Sequence, residues 1–472
     1  MYLNGGYSSR RRLRNGTIAG TAGLAAVLGF STLQAQEVPV SASQVILDFG
    51  QRLEYSSNPD LDPNDEAEGQ FISRTLLGLN YIRRTGTDTF SFEASGDLEI
   101  RDNSDDDDDS NTDIDNPFVG LDWDRETARA RIGLSFFANE VDLGTTTGTF
   151  FNSDTGSVDF GTLDQGTRRT ADITLDGEFG IDTPIGGSYE LGAREIRYSD
   201  TEDPDLLDAD RLTFAGDVFF AVNSRTRVGV EAAYIDFDET GEGEIDTVDT
   251  SAGVFAEIDF SQATTGRFAL GWQEVEDTGA ENNTEDGLTG SVALERELVR
   301  STALFEALSE VTDDGQRYEA SAGQRIPLTT GEFDYAIGFT HTEGLDTEPL
   351  FNIGWRQELA RGILDVTLDQ RSFSGRGTDE TRINSRLDVT YEQQLTTRSS
   401  FDVGFAAISR NELGEDAEDG ERFDFDITYR YALTPDWNLT SGVSIVRINE
   451  DNEEDTDDET IFIGLERRFV WN

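Results

Sequence analysis

The stretch DTFSFEASGDLEIR (88–101) alternates between apolar and polar residues almost without error, and PFVGLDW (117–123) begins the alternation again. Successive side chains of a β-strand point to opposite faces, so each stretch predicts a strand with one apolar and one polar face. The intervening DNSDDDDDSNTDIDN (102–116) breaks this pattern. We interpret the acidic run as a loop that joins two strands.

The connections between the alternating segments are of two kinds, and the two kinds alternate along the chain. Short ones, such as RRTGTD (83–88) and LTTGE (328–332), are rich in Gly, Thr and Arg and predict tight turns. The others are acidic and usually longer, such as SSNPDLDPNDEAEG (56–69), DETGEGEID (238–246) and EDTGAENNTEDG (276–287). A soluble sandwich would also alternate, but short turns on one side and long loops on the other are typical of an outer-membrane barrel.

These patterns predict an all-β fold, an antiparallel up-and-down transmembrane β-barrel with no plug domain. We count about 22 strands, within a range of 20 to 24, from VILDFGQRLEY (45–55) to TIFIGLERRFVW (460–471), and the stretch 143–166 could hold an extra hairpin. Only about ten residues, 36–44, precede the first strand, too few for a plug. A secreted β-solenoid, the alternative, would need a fixed short repeat and calcium-loop glycines, and the sequence has neither.

The N-terminal residues predict the compartment. SRRRLR (9–14) precedes the apolar run TIAGTAGLAAVLGFSTL (17–33), and LQA before Gln36 is an acceptable cleavage triplet. We predict a secretory signal peptide over residues 1–35 and a single transmembrane β-barrel domain with acidic extracellular loops over 36–472. A single membrane anchor is the alternative. With the barrel pattern, a signal peptide favours the cell outer membrane of a Gram-negative bacterium.

Composition excludes several function classes. The chain has 95 acids against 37 bases, all of them Arg, and a net charge of −58, which excludes nucleic acid as a partner held by attraction. It has no Cys, so disulfides, thiolate metal sites and a cysteine nucleophile are excluded. Its 30 Phe, 12 Tyr and 5 Trp are too many for a disordered acidic chain.

Three stretches resemble a known family. IGLERRF (463–469), LEYSSNPDLDP (53–63) and strands like RFDFDITYRY (422–431) resemble segments of the β-barrel porin 2 group of proteobacterial outer-membrane proteins. The resemblance is one of pattern and covers most of the mature chain, without a catalytic motif. It implies an outer-membrane barrel, and some members of the group are linked to capsule or exopolysaccharide export.

No residue pattern predicts catalysis or a specific metal site. His341 is the only histidine and is in phase with Phe333, Tyr335, Ile337 and Phe339, so it should face lipid instead of polar catalytic partners. An EF-hand loop that started at Asp105 would need Gly at its sixth position, where Ser110 stands. We predict no enzyme activity and no cofactor; weak Ca²⁺ or Mg²⁺ association and plain solvation both remain open for the acidic loops.

The polar strand faces predict the lining of the lumen. The candidate lining residues are Arg52, Glu93, Asp97, Arg129, Arg131, Asp176, Arg356, Arg382, Arg386, Asp424, Asp426 and Arg430. They could form cross-strand pairs that hold the wall rigid, or opposed acidic and basic strips that orient polar solutes. The loop 141–167, with Phe150, Phe151 and Phe160, is the candidate constriction.

The sequence therefore predicts a monomeric or trimeric, porin-like passive channel for small polar solutes, saccharides or cations. The alternative is a non-conducting surface scaffold or a component of capsule or exopolysaccharide export. The expected partners are outer-membrane lipid, lipopolysaccharide and the barrel-assembly machinery.

Overall fold

A computed structural model describes residues 42–472, apart from 60, 62–63, 65–66, 102–111, 143–149, 152–157, 160–165, 200, 202–206, 241–244, 279–282, 313–314, 375–380, 414–418 and 451–454. The predicted signal peptide, residues 1–35, and the acidic run Asp105 to Asp109 lie outside the described residues. Among the residues that the structure describes, no helix is long and apolar enough to cross a membrane.

The described chain consists of β-strands and their connections. The strands are β1 (Ala42–Ser56), β2 (Gln70–Arg84), β3 (Asp88–Arg101), β4 (Thr112–Glu126), β5 (Ala130–Asp142), β6 (Phe150–Phe151), β7 (Val158–Asp159), β8 (Thr167–Phe179), β9 (Ile185–Ser199), β10 (Asp208–Asn223), β11 (Thr226–Thr240), β12 (Ile245–Ser261), β13 (Thr264–Thr278), β14 (Asn283–Glu297), β15 (Thr302–Thr312), β16 (Gly315–Leu328), β17 (Gly331–Thr342), β18 (Thr347–Leu359), β19 (Gly362–Ser374), β20 (Thr381–Thr396), β21 (Ser399–Leu413), β22 (Gly420–Ala432), β23 (Trp437–Glu450) and β24 (Thr456–Trp471). All but β6 and β7 belong to one 22-stranded sheet.

The large sheet closes on itself. Each of its strands pairs antiparallel with its neighbour along the chain, and the first strand, β1, pairs with the last, β24, from Val45 opposite Trp471 to Ser56 opposite Thr460. The predicted closed antiparallel barrel of about 22 strands is confirmed. The extra hairpin foreseen within 143–166 is β6–β7, which forms a separate two-stranded sheet and leaves the number of barrel strands at 22.

The outer face of the barrel is apolar. Leu53, Phe71, Leu77, Val230 and Ile337 are each more than half exposed on strand faces that point away from the polar side chains. A soluble protein would bury such a belt, whereas lipid hydrocarbon solvates it. Aromatic pairs border the belt at both ends: Tyr55 and Phe71 have ring centroids 4.9 Å apart near one rim, and Phe469 and Trp471 stack at 5.9 Å near the other.

The two rims of the barrel differ as predicted, but several acidic stretches are more ordered than loops. The tight turns 85–87, 224–225 and 329–330 lie on one rim, which we call inner, and the acidic connections lie on the outer rim. Of the predicted loop 238–246, only 241–244 falls between β11 and β12, because the main-chain ladder runs on beyond the apolar belt. Water beside the outer rim solvates the acids, so nothing there interrupts strand pairing.

We expect an arginine on the lipid face of β17 to destabilise the barrel far more than an arginine on its lumen face. Ile337 lies on the lipid side and is 61% exposed, whereas the next residue back, Ala336, faces the lumen between Gly323 and Asn352. Ile337→Arg should lower the free energy of unfolding by about 2–4 kcal/mol because hydrocarbon cannot solvate a guanidinium. Ala336→Arg should cost much less, and equal losses in denaturant unfolding of the two variants in lipid vesicles would contradict the assignment of faces.

Candidate functional site

Most of the predicted lining residues lie on the strand face opposite to the apolar belt. This inward group is Arg52, Glu93, Asp97, Arg131, Asp176, Arg356, Arg386, Asp424, Asp426 and Arg430. Arg129, in contrast, lies in the turn 127–129 and is exposed at the inner rim, so it does not belong to the wall. The side chains of Arg382, Phe150 and Phe151, and all of Phe160, lie outside the described residues.

Arginine–carboxylate pairs cross the lumen wall near its inner rim. Arg131 lies 2.7 Å from Asp124, Arg356 lies 3.5 Å from Asp365, and Arg430 pairs with Asp402. The side chains of Arg131, Arg356 and Arg430 are 42%, 37% and 29% exposed. These three pairs of the inner half therefore border water, and pairs this exposed each contribute roughly 0–1 kcal/mol to stability.

Near the outer rim, arginines and carboxylates of the wall are much less exposed. Arg74 of β2 lies 2.6 Å from Glu54, 2.9 Å from Glu99 and 3.4 Å from Asp115, which come from β1, β3 and β4. A bulge explains how Asp115 joins them: Asn116 has a φ of 50°, and the register between β3 and β4 shifts between Ser95 and Asp97. One arginine thus ties four consecutive strands together.

Three phenylalanines of the wall lie flat against it. Phe255 covers Gly229 of the neighbouring strand, where an added Cβ would come within 2.5 Å of the ring, and the Arg267 guanidinium stacks 4.2 Å from the ring centroid. Phe462 covers Gly442 in the same way, with Arg52 stacked at 3.5 Å. The third set is Gly186, Phe219 and Arg227. Because these rings lie along the wall under an arginine, they leave the lumen wide.

Arg267 belongs to the most enclosed ion-pair group at the inner end of the wall. Its guanidinium lies 2.5 Å from Glu231 and 2.9 Å from Glu257, and its side chain is 9% exposed. Two carboxylates on one nearly buried cation form a network in which each charge depends on the others.

The outer end of the lumen wall is covered from the inside. Inward-facing residues within a few positions of the outer strand ends have almost no exposed surface; they include Ile72, Ile196, Ala209, Phe237, Thr247, Val275, Thr340, Leu350, Asn384, Ile408, Arg422, Val446, Ile448 and Asp458. Exposure falls along a single strand, β22, from 29% at Arg430 near the inner rim to 0% at Arg422 near the outer rim. A wall facing open water would keep its exposure, so the outer end of this wall is shielded from solvent.

One covering segment is described. Ser57, Asn58, Pro59, Leu61 and Asn64, described residues of the connection after β1, lie across the outer end of β24, and we call them the outer strap. Leu61 is 2% exposed and packs with Ile408, Val446 and Ile448 on the inner wall of β21 and β23. The sequence analysis did not predict this contact. Val446 and Ile448 were a signal for it, because they are apolar residues on the otherwise polar face of β23.

His341 lies where the sequence placed it. It is on β17 in phase with the exposed Ile337 and Phe339, and its Nδ1 is 3.2 Å from Thr347 Oγ1 on the neighbouring strand. The imidazole therefore has a hydroxyl neighbour on the lipid side near the outer rim.

Comparisons with known proteins show the fold. No family model and no curated protein matches the chain. The FrpB iron transporter from Neisseria meningitidis (F5-1 variant) is similar over 90% of this chain and 82% of that chain, with a TM-score of 0.56 and 8% identity. The open form of the ferric-catecholate import receptor Fiu from E. coli K12 is similar over 91% and 82%, with a TM-score of 0.56 and 10% identity.

A third solved structure is similar to this chain over almost the same length. The siderophore receptor PirA from Acinetobacter baumannii is similar over 92% of this chain and 81% of that chain, with a TM-score of 0.51 and 9% identity. This chain shares their fold, a large closed antiparallel β-barrel. At such low identity the likeness is one of fold, and the chemistry of this barrel must be argued from the residues of its own wall.

We expect Arg267 and Arg131 to differ sharply in their contribution to stability. Arg267→Met leaves Glu231 without its cation and Glu257 with only Arg227, 3.8 Å away, and should cost about 3–5 kcal/mol of unfolding free energy. Arg131→Met removes an exposed pair and should cost roughly 0–1 kcal/mol. Denaturant unfolding of the two variants in detergent or lipid checks this, and similar losses would show that burial does not set the strength of these pairs.

Proposed function

We propose that this protein is a porin-like passive channel for small polar solutes in the outer membrane of a Gram-negative bacterium. The observation that carries the proposal is the inner half of the lumen wall, where Arg131, Arg356 and Arg430 keep about a third of their surface exposed to the lumen. Charged side chains keep such exposure on a wall that borders water. A polar, wet wall is what a solute needs to cross an apolar membrane.

We also propose that no plug domain fills the barrel. A circular barrel of 22 strands is roughly 40 Å across between backbones, which wall side chains alone cannot fill, and transporters of this strand number usually hold a plug. Here every described residue belongs to a barrel strand, to the β6–β7 hairpin or to a connection.

Charge favours cations and neutral saccharides over small anions as solutes. The chain carries a net charge of −58, and the outer connections are its most acidic stretches. A mouth of one sign raises the local concentration of oppositely charged solutes. The arginines of the wall are paired with acids, so they do not reverse this preference.

A second candidate function is a role in capsule or exopolysaccharide export, as some members of the β-barrel porin 2 group that the sequence resembles have. The specific observation in its favour is the burial of the outer end of the lumen wall, because an export channel at rest has to be shielded from the medium. Assignment to the porin 2 group is itself part of this proposal.

We expect the purified barrel to give stepwise, cation-selective conductance in planar bilayers. Arg356→Gln removes a partly exposed cation from the wall and should shift the reversal potential in a KCl gradient further toward cations. The control is Arg225→Gln, at an exposed turn of the inner rim, which should leave the reversal potential unchanged. A silent, heat-modifiable barrel would contradict the channel and favour the scaffold or export role.

A further inference from the structure

Three polar side chains lie on the barrel face that carries the apolar belt. Gln51 of β1 lies two residues before the exposed Leu53, and Ser73 and Thr75 of β2 follow the exposed Phe71 at two and four residues. Residues two apart on a strand share a face. All three polar side chains are partly exposed there, and we call Gln51, Ser73 and Thr75 the belt polar cluster.

The cluster lies within the belt and not at its border. At the inner end of the belt, Val45 of β1 pairs with Trp471, and at the outer end Tyr55 contacts Phe71. Gln51 is six residues outward of Val45 and four residues inward of Tyr55. Its amide is therefore well away from the water at either rim.

Apolar side chains also lie beside the cluster on the neighbouring strands. Leu465 of β24 is opposite Gln51, and Leu98 of β3 is opposite Thr75. Hydrocarbon offers no hydrogen bond to a polar group, so each unpaired donor or acceptor exposed to it costs free energy. A polar cluster surrounded in this way is stabilised when protein covers it.

The cluster satisfies only part of its own hydrogen-bonding capacity. Gln51 Nε2 donates to Ser73 Oγ at 3.0 Å, and Thr75 Oγ1 donates to Gln51 Oε1 at 2.8 Å. A side-chain amide has two N–H groups, and its oxygen can accept two hydrogen bonds. In the described part of the chain, the second N–H of Gln51 and the O–H of Ser73 have no acceptor. The cluster thus presents free donors next to oxygens that can accept again.

A surface with donors and acceptors side by side is complementary to itself. In a two-fold interface each patch meets its own copy, so the donors of one copy face the acceptors of the other. The hydrocarbon of lipid chains offers neither. A second copy of this chain is therefore the occupant that the cluster itself specifies.

The shape and size of this surface suit a second barrel. Ser73 and Thr75 are small, whereas the larger Leu98 and Leu465 lie on either side. Two convex walls touch along a line and diverge beside it, so small residues at the line and leucines beside it can both make contact. The strands β24, β1, β2 and β3 present roughly 20 Å by 25 Å of the belt. Two copies would bury roughly 1,000 Å², the lower limit for a specific interface.

We propose that two copies of this chain pair in the membrane through the belt polar cluster, with β1 and β2 of one copy against β1 and β2 of the other around a two-fold axis along the membrane normal. The inference rests on the proposed membrane location and goes beyond the proposed channel function, since pairing does not require conduction. Because Gln51 belongs to the ladder between β1 and β24, pairing would also cover the closing strand pair from the lipid side.

The first test locates the contact with a single thiol. The chain has no cysteine, so Ser73→Cys places one thiol near the axis and keeps the bond between Thr75 and Gln51. In lipid vesicles at low protein density, oxidation should convert most of this variant into disulfide-linked dimers.

A matched thiol on the far side of the barrel is the control. Leu270 is 59% exposed on the belt face of β13, across the 22-stranded sheet from β1. Leu270→Cys should cross-link only at the low level of random collisions. Equal cross-linking of Ser73→Cys and Leu270→Cys would overturn the pairing.

The second test removes the polarity of the cluster. Gln51→Leu combined with Thr75→Val should raise the dissociation constant of the dimer at least about tenfold, because the hydrogen bonds between the copies are lost. The barrel should stay folded, since lipid solvates the new side chains. Energy transfer in vesicles, between copies that carry dyes at Arg225→Cys in an exposed inner-rim turn, measures the dissociation constant.

Gln324→Leu is the matched control, because Gln324 of β16 lies on the belt face two residues from Ala322, the partner of the exposed Ile337. It should leave the dissociation constant unchanged. An unchanged constant in the Gln51→Leu/Thr75→Val variant would overturn the pairing. So would an unaltered protein that is monomeric in vesicles, which would leave lipid or a different protein as the occupant.

The pairing and the channel function fail separately. A monomer that conducts in planar bilayers would contradict the pairing and leave the channel intact. A silent barrel that cross-links through Ser73→Cys but not through Leu270→Cys would support the pairing and contradict the channel.

Discussion

The structure depends on one constraint: in hydrocarbon, every backbone N–H and C=O needs a partner within the protein, so a sheet that spans the membrane cannot leave an open edge. The pairing of β1 with β24 along Val45 to Ser56 removes both edges at once. Closure then sets the roles of the two strand faces, because one must meet lipid and the other must surround whatever lies inside. Leu53 and Arg52, neighbours in sequence, end up in hydrocarbon and in the lumen.

Closure with this many strands also creates a wall too wide for its own side chains to fill, and the charged residues reflect that width. At the inner end several pairs are loose and wet, as at Arg131 and Asp124. Where the cation is covered, the same residue types form tight groups: around Arg74 near the outer rim, and around Arg267 at the inner end, where the ring of Phe255 covers the guanidinium. The degree of covering, and not the kind of residue, decides whether an ion pair on this wall contributes to rigidity or merely lines water.

The fold could be predicted from sequence because its two determinants are local. The alternation of apolar and polar residues within about ten positions, and the contrast in composition between turns and loops, can both be recognised without knowledge of distant contacts. The ends of the strands were less predictable. The stretches 238–240 and 245–246 are acidic in character and resemble a loop in sequence, yet they belong to β11 and β12. Acidic residues indicate contact with water, which does not require that strand pairing ends. Arg129 shows the same limit at the inner rim, because the sequence pattern predicts a wall residue there and the structure places it in a turn.

The covering of the outer end of the lumen wall by the outer strap could not be predicted, because it depends on contacts between residues far apart in sequence. Leu61 meets Ile448 only because the barrel returns its last strands to the side of its first, and Asn58 meets Asp458 across a separation of 400 residues. The strap can therefore form only after β1 and β24 have paired. The pairing of β1 with β24 that removes the open edges of the sheet also brings the connection after β1 beside β21 and β23, so closure of the sheet is a precondition for this contact.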